Sequence, residues 1–190
     1  MFRFDPDAYG PVFAPLLQVD RNRELGAGTP EAAARKVLAQ LNLASAFEHA
    51  ELRDREMGEL CLAGLWLLYD FLDESHTISQ RIGSRSGSYW HGIMHRREGD
   101  FSNAKYWFNR ASGHPIFDPL AESAQQLAAG QDLDPPAQFV TQCDWDPFAF
   151  IDLCQAVTRG RSTSEALCRQ IAQQEWELLF DDCYRRAVGK

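Results

Sequence analysis

Residues 54–72, which read DREMGELCLAGLWLLYDFL, decide the fold. From Leu60 onward the stretch is apolar on nearly every side of a helical wheel, which is typical of a helix buried at the centre of a domain. Its apolar stripe ends at Leu72 and would reach His76 if the helix continued. The longest apolar run stops at Asp70, far short of the roughly 18 residues that a membrane-spanning helix needs.

Helical signals continue on both sides of this stretch. Residues 1–28 contain three prolines and support at most a short helix, so we expect an irregular N-terminal segment. The sequence Thr29-Pro30-Glu31 is typical of a helix start. Further helices are predicted for residues 116–129, 147–158 and from Ser162 or Ser164 to Val188. Because almost no segment alternates with the period of a strand, the sequence predicts one compact all-α domain over residues 1–190, with about seven or eight helices.

Composition and charge narrow the classes of function. The 190 residues are 45% hydrophobic and 24% charged, which is ordinary for a globular domain, and the net charge is −8. This acidity disfavours general binding to nucleic acid or to anionic membranes. The five cysteines are widely spaced without a C-x-x-C pair, and they resemble small core residues of a protein in a reducing compartment. Since the first residues also lack a signal-peptide pattern, we expect a cytoplasmic protein.

The charge is unevenly distributed along the chain. Residues 76–114 contain six basic and two acidic side chains and therefore carry +4, so the remainder carries −12. The six basic residues are Arg81, Arg85, Arg96, Arg97, Lys105 and Arg110. A basic, histidine-rich segment in an acidic protein suggests an anionic ligand. The alternative is that these side chains pair with acidic residues elsewhere in the fold.

Residues 88–115, SYWHGIMHRREGDFSNAKYWFNRASGHP, have the pattern of a helical hairpin. Small and aromatic residues recur there at the spacing of a tetratricopeptide repeat: Gly92, Gly99, Phe101, Ala104, Phe108 and Ala111. The segment resembles a single copy of that repeat over 28 residues, which implies a helix-turn-helix unit and not an array of three or more. The block from Tyr89 to Arg110 also resembles a segment of a bacterial and fungal protein family, and that resemblance implies no activity.

Polar residues replace apolar ones in the first helix of this hairpin. Where the repeat has a leucine and a tyrosine, this chain has His91 and His95, and Glu98 follows on the same helix face. Two imidazoles at i and i+4 are a familiar zinc-binding geometry, and a carboxylate one turn further can be a third ligand. The pattern predicts a divalent metal such as zinc on His91, His95 and Glu98. The alternative is a histidine pair hydrogen-bonded within a polar helix interface.

Three further polar residues extend this hypothesis. Asp73 precedes His76 by three residues and can orient the imidazole as a base or a metal ligand, unless the acidic cluster simply caps a helix break. His114 precedes a proline and either marks the end of the hairpin or closes over the histidine pocket. Glu175 interrupts the apolar stripe of the last helix, so it is either the buried partner of a basic side chain or a ligand in the site.

These residues predict a ligand-binding protein with a polar pocket for a small anion, a divalent metal or both. If the protein is an enzyme, we expect metal-assisted or histidine-based hydrolysis, with His76, His91 and His95 as the catalytic candidates. The ligand-binding candidates are Arg96, Arg97, Lys105, Tyr106, Arg110, His114 and Glu175.

Two other hypotheses fit the same residues. The first is an interaction scaffold, in which a tetratricopeptide-like groove uses arginine and lysine to bind an acidic or C-terminal peptide. The second is a purely structural polar core, in which every histidine has a hydrogen-bond partner in the protein. The orientation of the histidines distinguishes them, because convergence on one place favours the small ligand.

Overall fold

In the computed structural model, which describes residues 2–190, the chain forms ten α-helices, two short 3₁₀-helices and no strand. The α-helices are α1 (Gly10–Leu17), α2 (Ala32–Gln40), α3 (Leu43–Ala46), α4 (Arg55–Leu68), α5 (Leu72–Ser79), α6 (Arg85–Glu98), α7 (Phe101–Arg110), α8 (Phe117–Ala128), α9 (Pro147–Thr158) and α10 (Glu165–Val188). The 3₁₀-helices are Pro6–Tyr9 and Pro135–Thr141. The all-α prediction is confirmed. The predicted number of helices is too low, because helices of one or two turns leave little periodicity in a sequence.

The helix predicted over residues 54–72 is interrupted at Asp70. Helix α4 ends at Leu68, and Asp70 has a φ of +65°, in the left-handed region that non-glycine residues rarely adopt. Two ion pairs hold this conformation, because one carboxylate oxygen lies 2.6 Å from Arg97 Nη2 and the other lies 2.5 Å from Arg23 Nη2. The break gives α5 its own direction, and α5 carries His76.

Helices α6 and α7 form the predicted hairpin. Gly99, with a φ of +84°, ends α6, and the Asp100 carboxylate caps α7 by accepting a hydrogen bond from the Asn103 N–H at 3.1 Å. The two helices approach closely at Gly92, where a Cβ atom would lie only 2.7 Å from the Phe108 ring. The helix-turn-helix unit is therefore present, while its likeness to a tetratricopeptide repeat stays a prediction.

The N-terminal part of the chain contains the short helix that the sequence allowed, and this helix is packed into the core. The 3₁₀-helix and α1 occupy part of residues 1–28, and Phe13 and Leu17 on α1 are fully buried. Helix α2 begins at Ala32 without a side-chain cap, so the start predicted at Thr29 is wrong. The physical reason is a tertiary contact, in which the Glu31 N–H donates to the Tyr69 carbonyl oxygen at 3.1 Å. This hydrogen bond holds the residue that precedes α2 against the end of α4.

Helix α10 lies at the centre of the domain and packs against α4, α8 and α9. Its Trp176 and Phe180 rings stack with their centroids 5.1 Å apart, and Trp90 of α6 meets Trp176 edge-on at 6.0 Å. The cysteines are all free, and Cys143 is exposed, contrary to the expectation of a core residue; the other four are buried. Among the described residues, no helix combines the length and the apolar character that crossing a membrane requires.

Candidate functional site

Three histidines from two neighbouring helices converge in the structure. His76 lies on α5, and His91 and His95 lie one turn apart on α6. One ring nitrogen of each histidine lies within 4.8 Å of the corresponding nitrogens of the other two. The ring centroids are separated by 4.7 Å between His76 and His91, by 5.4 Å between His76 and His95, and by 4.7 Å between His91 and His95. We refer to these three residues as the histidine cluster.

His91 is the innermost member of the cluster, and it has no hydrogen-bond partner. It is 3% exposed, and both Nδ1 and Nε2 are buried without a partner among the described residues. Its ring stacks on Trp107 of α7 at a centroid distance of 4.0 Å. Burial, followed by the nearby His95 and His76, lowers the pKa of His91 to about 3, so the ring is neutral at physiological pH. A neutral imidazole keeps a lone pair free for a metal ion.

His95 lies in a polar environment that fixes its tautomer. Its Nδ1 lies 3.0 Å from a Glu98 carboxylate oxygen and donates to it, and its Nε2 accepts from the Asn103 amide at 3.1 Å. A carboxylate that accepts the N–H of an imidazole orients the ring and raises its basicity as a metal ligand. Glu98 is half-exposed and lies outside the cluster of converging nitrogens, so the structure places it behind His95 and not beside His91 as a third ligand.

His76 completes the cluster from α5 and faces solvent on one side. Its side chain is only partly buried, unlike the other two. Among residues 2–190, the histidines paired with carboxylates are His95 and His114, so Asp73 does not orient His76 as one hypothesis expected. The sequence hypothesis that His76 joins the other two in one place agrees with the structure, although the supporting carboxylate belongs to His95.

The dimensions of the cluster suit a metal ion after small adjustments. Zinc–nitrogen bonds of about 2.0–2.1 Å in a tetrahedral site place the ligand nitrogens about 3.3 Å apart. The nitrogens of the histidine cluster lie within 4.8 Å, so the imidazoles would approach one another by about 1.5 Å or less. Rotation about the side-chain torsions provides a displacement of this size. On binding, the metal would replace the Asn103 N–H at His95 Nε2.

The arginines next to the cluster point elsewhere and are already paired. Arg96 and Glu175 form a buried ion pair, which Tyr89 supports by donating to the same carboxylate at 3.1 Å. Arg97 pairs with Asp70 at 2.6 Å. Arg96 and Arg97 therefore do not supply charge to the histidines, and Glu175 is the buried partner of a basic side chain and not a ligand beside them. The spacing explains this, because residues 96 and 97 lie across the helix from residues 91 and 95.

The other ligand-binding candidates lie on the surface of the hairpin. Lys105 pairs with Asp152 at 2.6 Å. The Arg110 guanidinium lies 5.4 Å from the Trp107 ring centroid, on the exposed side of α7. Tyr106 is 57% exposed and meets Trp107 edge-on. Arg110 and Tyr106 thus both contact Trp107, the ring that stacks on His91, whereas Lys105 is paired with Asp152.

His114 has a separate structural role. Its Nε2 donates to Ser86 Oγ at 3.0 Å, and its Nδ1 accepts the Ile116 N–H at 3.3 Å, so both ring nitrogens are used within the protein. Burial, followed by Arg186 and Arg85, lowers the pKa of His114 to about 4. The residue ties the end of the hairpin to α6, as the turn hypothesis expects, and it does not close over the cluster.

Two residues that contact the histidines, Asn103 and Trp107, were not among the candidate site residues predicted from the sequence. Asn103 contacts His95 because the turn at Gly99 folds α7 back along α6, and Trp107 lies one helical turn further on the same face. Their spacing of four residues, opposite a histidine pair of the same spacing, is the signal that could have found them.

Comparisons with protein-family models, with curated proteins and with solved structures found no match. The function proposed for the chain therefore depends on the residues of the site itself.

Proposed function

We propose that this protein binds a divalent metal ion, with zinc as the first candidate, through His76, His91 and His95. The observation that carries the proposal is the state of His91. A buried polar group without a hydrogen bond costs about 1–3 kcal/mol, and His91 contains two such groups. A bound metal would satisfy one of them and would give a reason for keeping a histidine at this position.

The arrangement favours a reactive metal over a purely structural one. Structural zinc sites have four protein ligands, whereas catalytic sites have three protein ligands and a position for water or substrate. The cluster provides three histidines, and the partial exposure of His76 leaves one side accessible. A metal with this ligand set lowers the pKa of a bound water to about 7 and generates a nucleophile at neutral pH. Metal-dependent hydrolysis is the reaction class that we propose.

The proposal is tested by metal binding to purified, untagged protein after removal of metal with a chelator. Calorimetric titration with Zn²⁺ should show one equivalent bound, and Co²⁺ should give the absorption bands of a tetrahedral nitrogen site. His76→Ala, His91→Ala and His95→Ala should each abolish tight binding. His49→Ala is the matched control, because His49 is exposed and its Nε2 is occupied by the Tyr184 hydroxyl at 2.8 Å. Absence of binding to the wild-type protein would refute the proposal.

The peptide-binding alternative has less support. An acidic peptide needs unpaired arginine or lysine side chains along a groove. Arg96, Arg97 and Lys105 all have carboxylate partners within the protein. A cytoplasmic location remains part of our proposal, and the four buried free thiols agree with a reducing compartment.

A further inference from the structure

Two of the buried cysteines are in contact with each other. The Sγ atoms of Cys154 on α9 and Cys168 on α10 lie 3.4 Å apart, within hydrogen-bonding distance for sulfur. The two residues are 1% and 0% exposed. Cys61 and Cys183 are buried as well, but among residues 2–190 no other two thiols are hydrogen-bonded to each other. We refer to Cys154 and Cys168 as the thiol pair.

The separation of the two sulfurs is close to that of a disulfide. An S–S bond is about 2.0 Å long, so the sulfurs would approach each other by about 1.4 Å. The two helices are already held side by side, because Asp134 accepts hydrogen bonds at 2.7 Å and 2.8 Å from the loop of residues 159–164 that joins them. Near the start of α10, Arg169 donates to the Arg23 and Asn22 carbonyl oxygens, at 3.2 Å and 2.6 Å. Side-chain rotation therefore provides the remaining approach.

The surroundings of the thiol pair favour ionisation of Cys154. The Arg96 guanidinium lies beside the same face of α9, at 4.6 Å from the ring centroid of Phe150, which precedes Cys154 by one turn. Burial raises the pKa of the Cys154 thiol, and the charge of Glu175 adds to that increase. The hydrogen bond from Cys168 and the charge of Arg96 lower the pKa by more, so it lies below the ordinary value. The same hydrogen bond, followed by burial, raises the pKa of Cys168 well above its ordinary value.

The thiol pair is buried but lies close to the surface. Thr158, the last residue of α9, follows Cys154 by one helical turn, and α10 begins three residues before Cys168. Residues 158–161 between the two cysteines are exposed. The ends of helices open locally at a low free-energy cost, so a small oxidant such as hydrogen peroxide gains access to the sulfurs. A second protein thiol is too large to enter by such an opening.

We propose that the thiol pair is an oxidation site, at which a hydroperoxide converts Cys154 and Cys168 into a reversible disulfide. The site is independent of the metal proposal, because it shares no residue with the histidine cluster. The disulfide would join α9 covalently to α10, and reduction by a small thiol would restore the two cysteines.

The reaction has two steps. The Cys154 thiolate attacks one oxygen of the hydroperoxide, so that an S–O bond forms and the O–O bond breaks. The leaving alkoxide or hydroxide takes up a proton, and Cys154 becomes a sulfenic acid. The Cys168 sulfur then gives up its proton and displaces the hydroxyl group as water, which forms the S–S bond. The two thiols together lose two electrons, and the hydroperoxide is reduced to an alcohol, or to water, and a second water.

The experiment uses the full chain carrying Cys143→Ser, because Cys143 is exposed and would react first. The folded protein is treated with hydrogen peroxide in the presence of a chelator, and the remaining thiols are blocked with N-ethylmaleimide as the protein is unfolded. Four of the five cysteines remain in this variant, so we expect four thiols before treatment and two after it. The mass should fall by about 2 Da, and dithiothreitol should restore all four thiols.

Tryptic peptides identify the bond. Cys154 and Cys168 lie in the peptides of residues 111–159 and 162–169, and each is the only cysteine of its peptide once Cys143 is replaced. The disulfide should join these two peptides and no others. Four thiols after treatment, or a bond that involves Cys61 or Cys183, would overturn the proposal.

Variants in the same background assign the role of each sulfur. Cys154→Ala should keep its three thiols after treatment, because the nucleophile is absent. Cys168→Ala should lose one thiol and gain about 16 Da, as a sulfenic acid that dimedone traps. Cys61→Ala is the matched control: it removes a buried thiol outside the pair, and it should still lose two thiols. Loss of two thiols in Cys154→Ala would refute the assignment, and the peptide analysis decides the question if that variant does not fold.

Discussion

Replacement of His91 by leucine should stabilise the metal-free protein. Both ring nitrogens of His91 are buried without partners, and each such group costs about 1–3 kcal/mol. Leucine removes both groups at similar volume but loses the stacking on Trp107, which is worth about 0.5–1.5 kcal/mol. The free energy of unfolding should therefore rise by about 0.5–5.5 kcal/mol, and most of this range is large enough to measure in a chain of this size.

Urea unfolding in the presence of a chelator measures this change in the free energy of unfolding. Unfolding with Zn²⁺ present measures how much the metal stabilises each protein. Excess metal should stabilise wild type and leave His91→Leu unaffected, because only the native site binds the ion. His114→Leu is the matched control. His114 is 2% exposed, close to the 3% of His91, but both of its nitrogens have partners, so this variant should lose stability. A metal-free His91→Leu protein less stable than wild type would refute the reasoning.

Three further predictions concern the pH dependence of stability, the affinity for Zn²⁺ and the ion pairs of Asp70. Because burial lowers the pKa of His91 to about 3 and that of His114 to about 4, only the unfolded chain gains protons on these residues between pH 7 and pH 5. The urea concentration at the unfolding midpoint of the metal-free protein should therefore fall as the pH is lowered from 7 to 5. His91→Leu should reduce the number of protons taken up on unfolding by up to one, so stability should depend less steeply on pH. An unchanged slope of stability against pH would contradict the lowered pKa of His91. Glu98→Gln should weaken Zn²⁺ binding about 10- to 100-fold in calorimetry without abolishing it, since Glu98 orients His95, and unaltered affinity would exclude that role. Asp70→Asn should lower the free energy of unfolding by about 3–5 kcal/mol because it leaves buried Arg97 unpaired. The exposed Asp73→Asn should change it by less than about 0.5 kcal/mol, and equal effects of the two substitutions would show that the Asp70 ion pairs contribute little.

Local sequence patterns account for much of the fold. Helix α9 begins at Pro147 after the capping Asp146 and ends at Thr158, as predicted. These bounds could be predicted because they are determined by residues of the helix and its immediate neighbours in the sequence. The break at Asp70 was missed because it depends on Arg23 and Arg97, which approach only in the folded chain. Local propensity gives way to tertiary contacts at such positions.

The candidate site could be predicted in part. Helical spacing placed His91 and His95 together, and His76 was expected to join them. The spacing could not say which acid each arginine meets, since Arg96 and its partner Glu175 are 79 residues apart. The positive charge of residues 76–114 therefore suggested an anion site beside the histidines. In the structure, Arg96 and Arg97 lie on the other side of the helix.

The attachment of residues 21–25 to α10 has a consequence for the order of folding. Arg169 binds carbonyl groups 146 and 147 positions earlier in the chain, whereas the histidine cluster joins two consecutive helices. Closing long loops costs more entropy than closing short ones, and contacts distant in sequence slow folding. We expect the histidines to assemble early. The strap formed by residues 21–25 should close late, together with the still more distant contact between Tyr9 and Asp181, and should open early in hydrogen exchange. A molecule bound beneath residues 21–25 would keep this segment closed. It would thereby protect the chain from proteases without altering its helices.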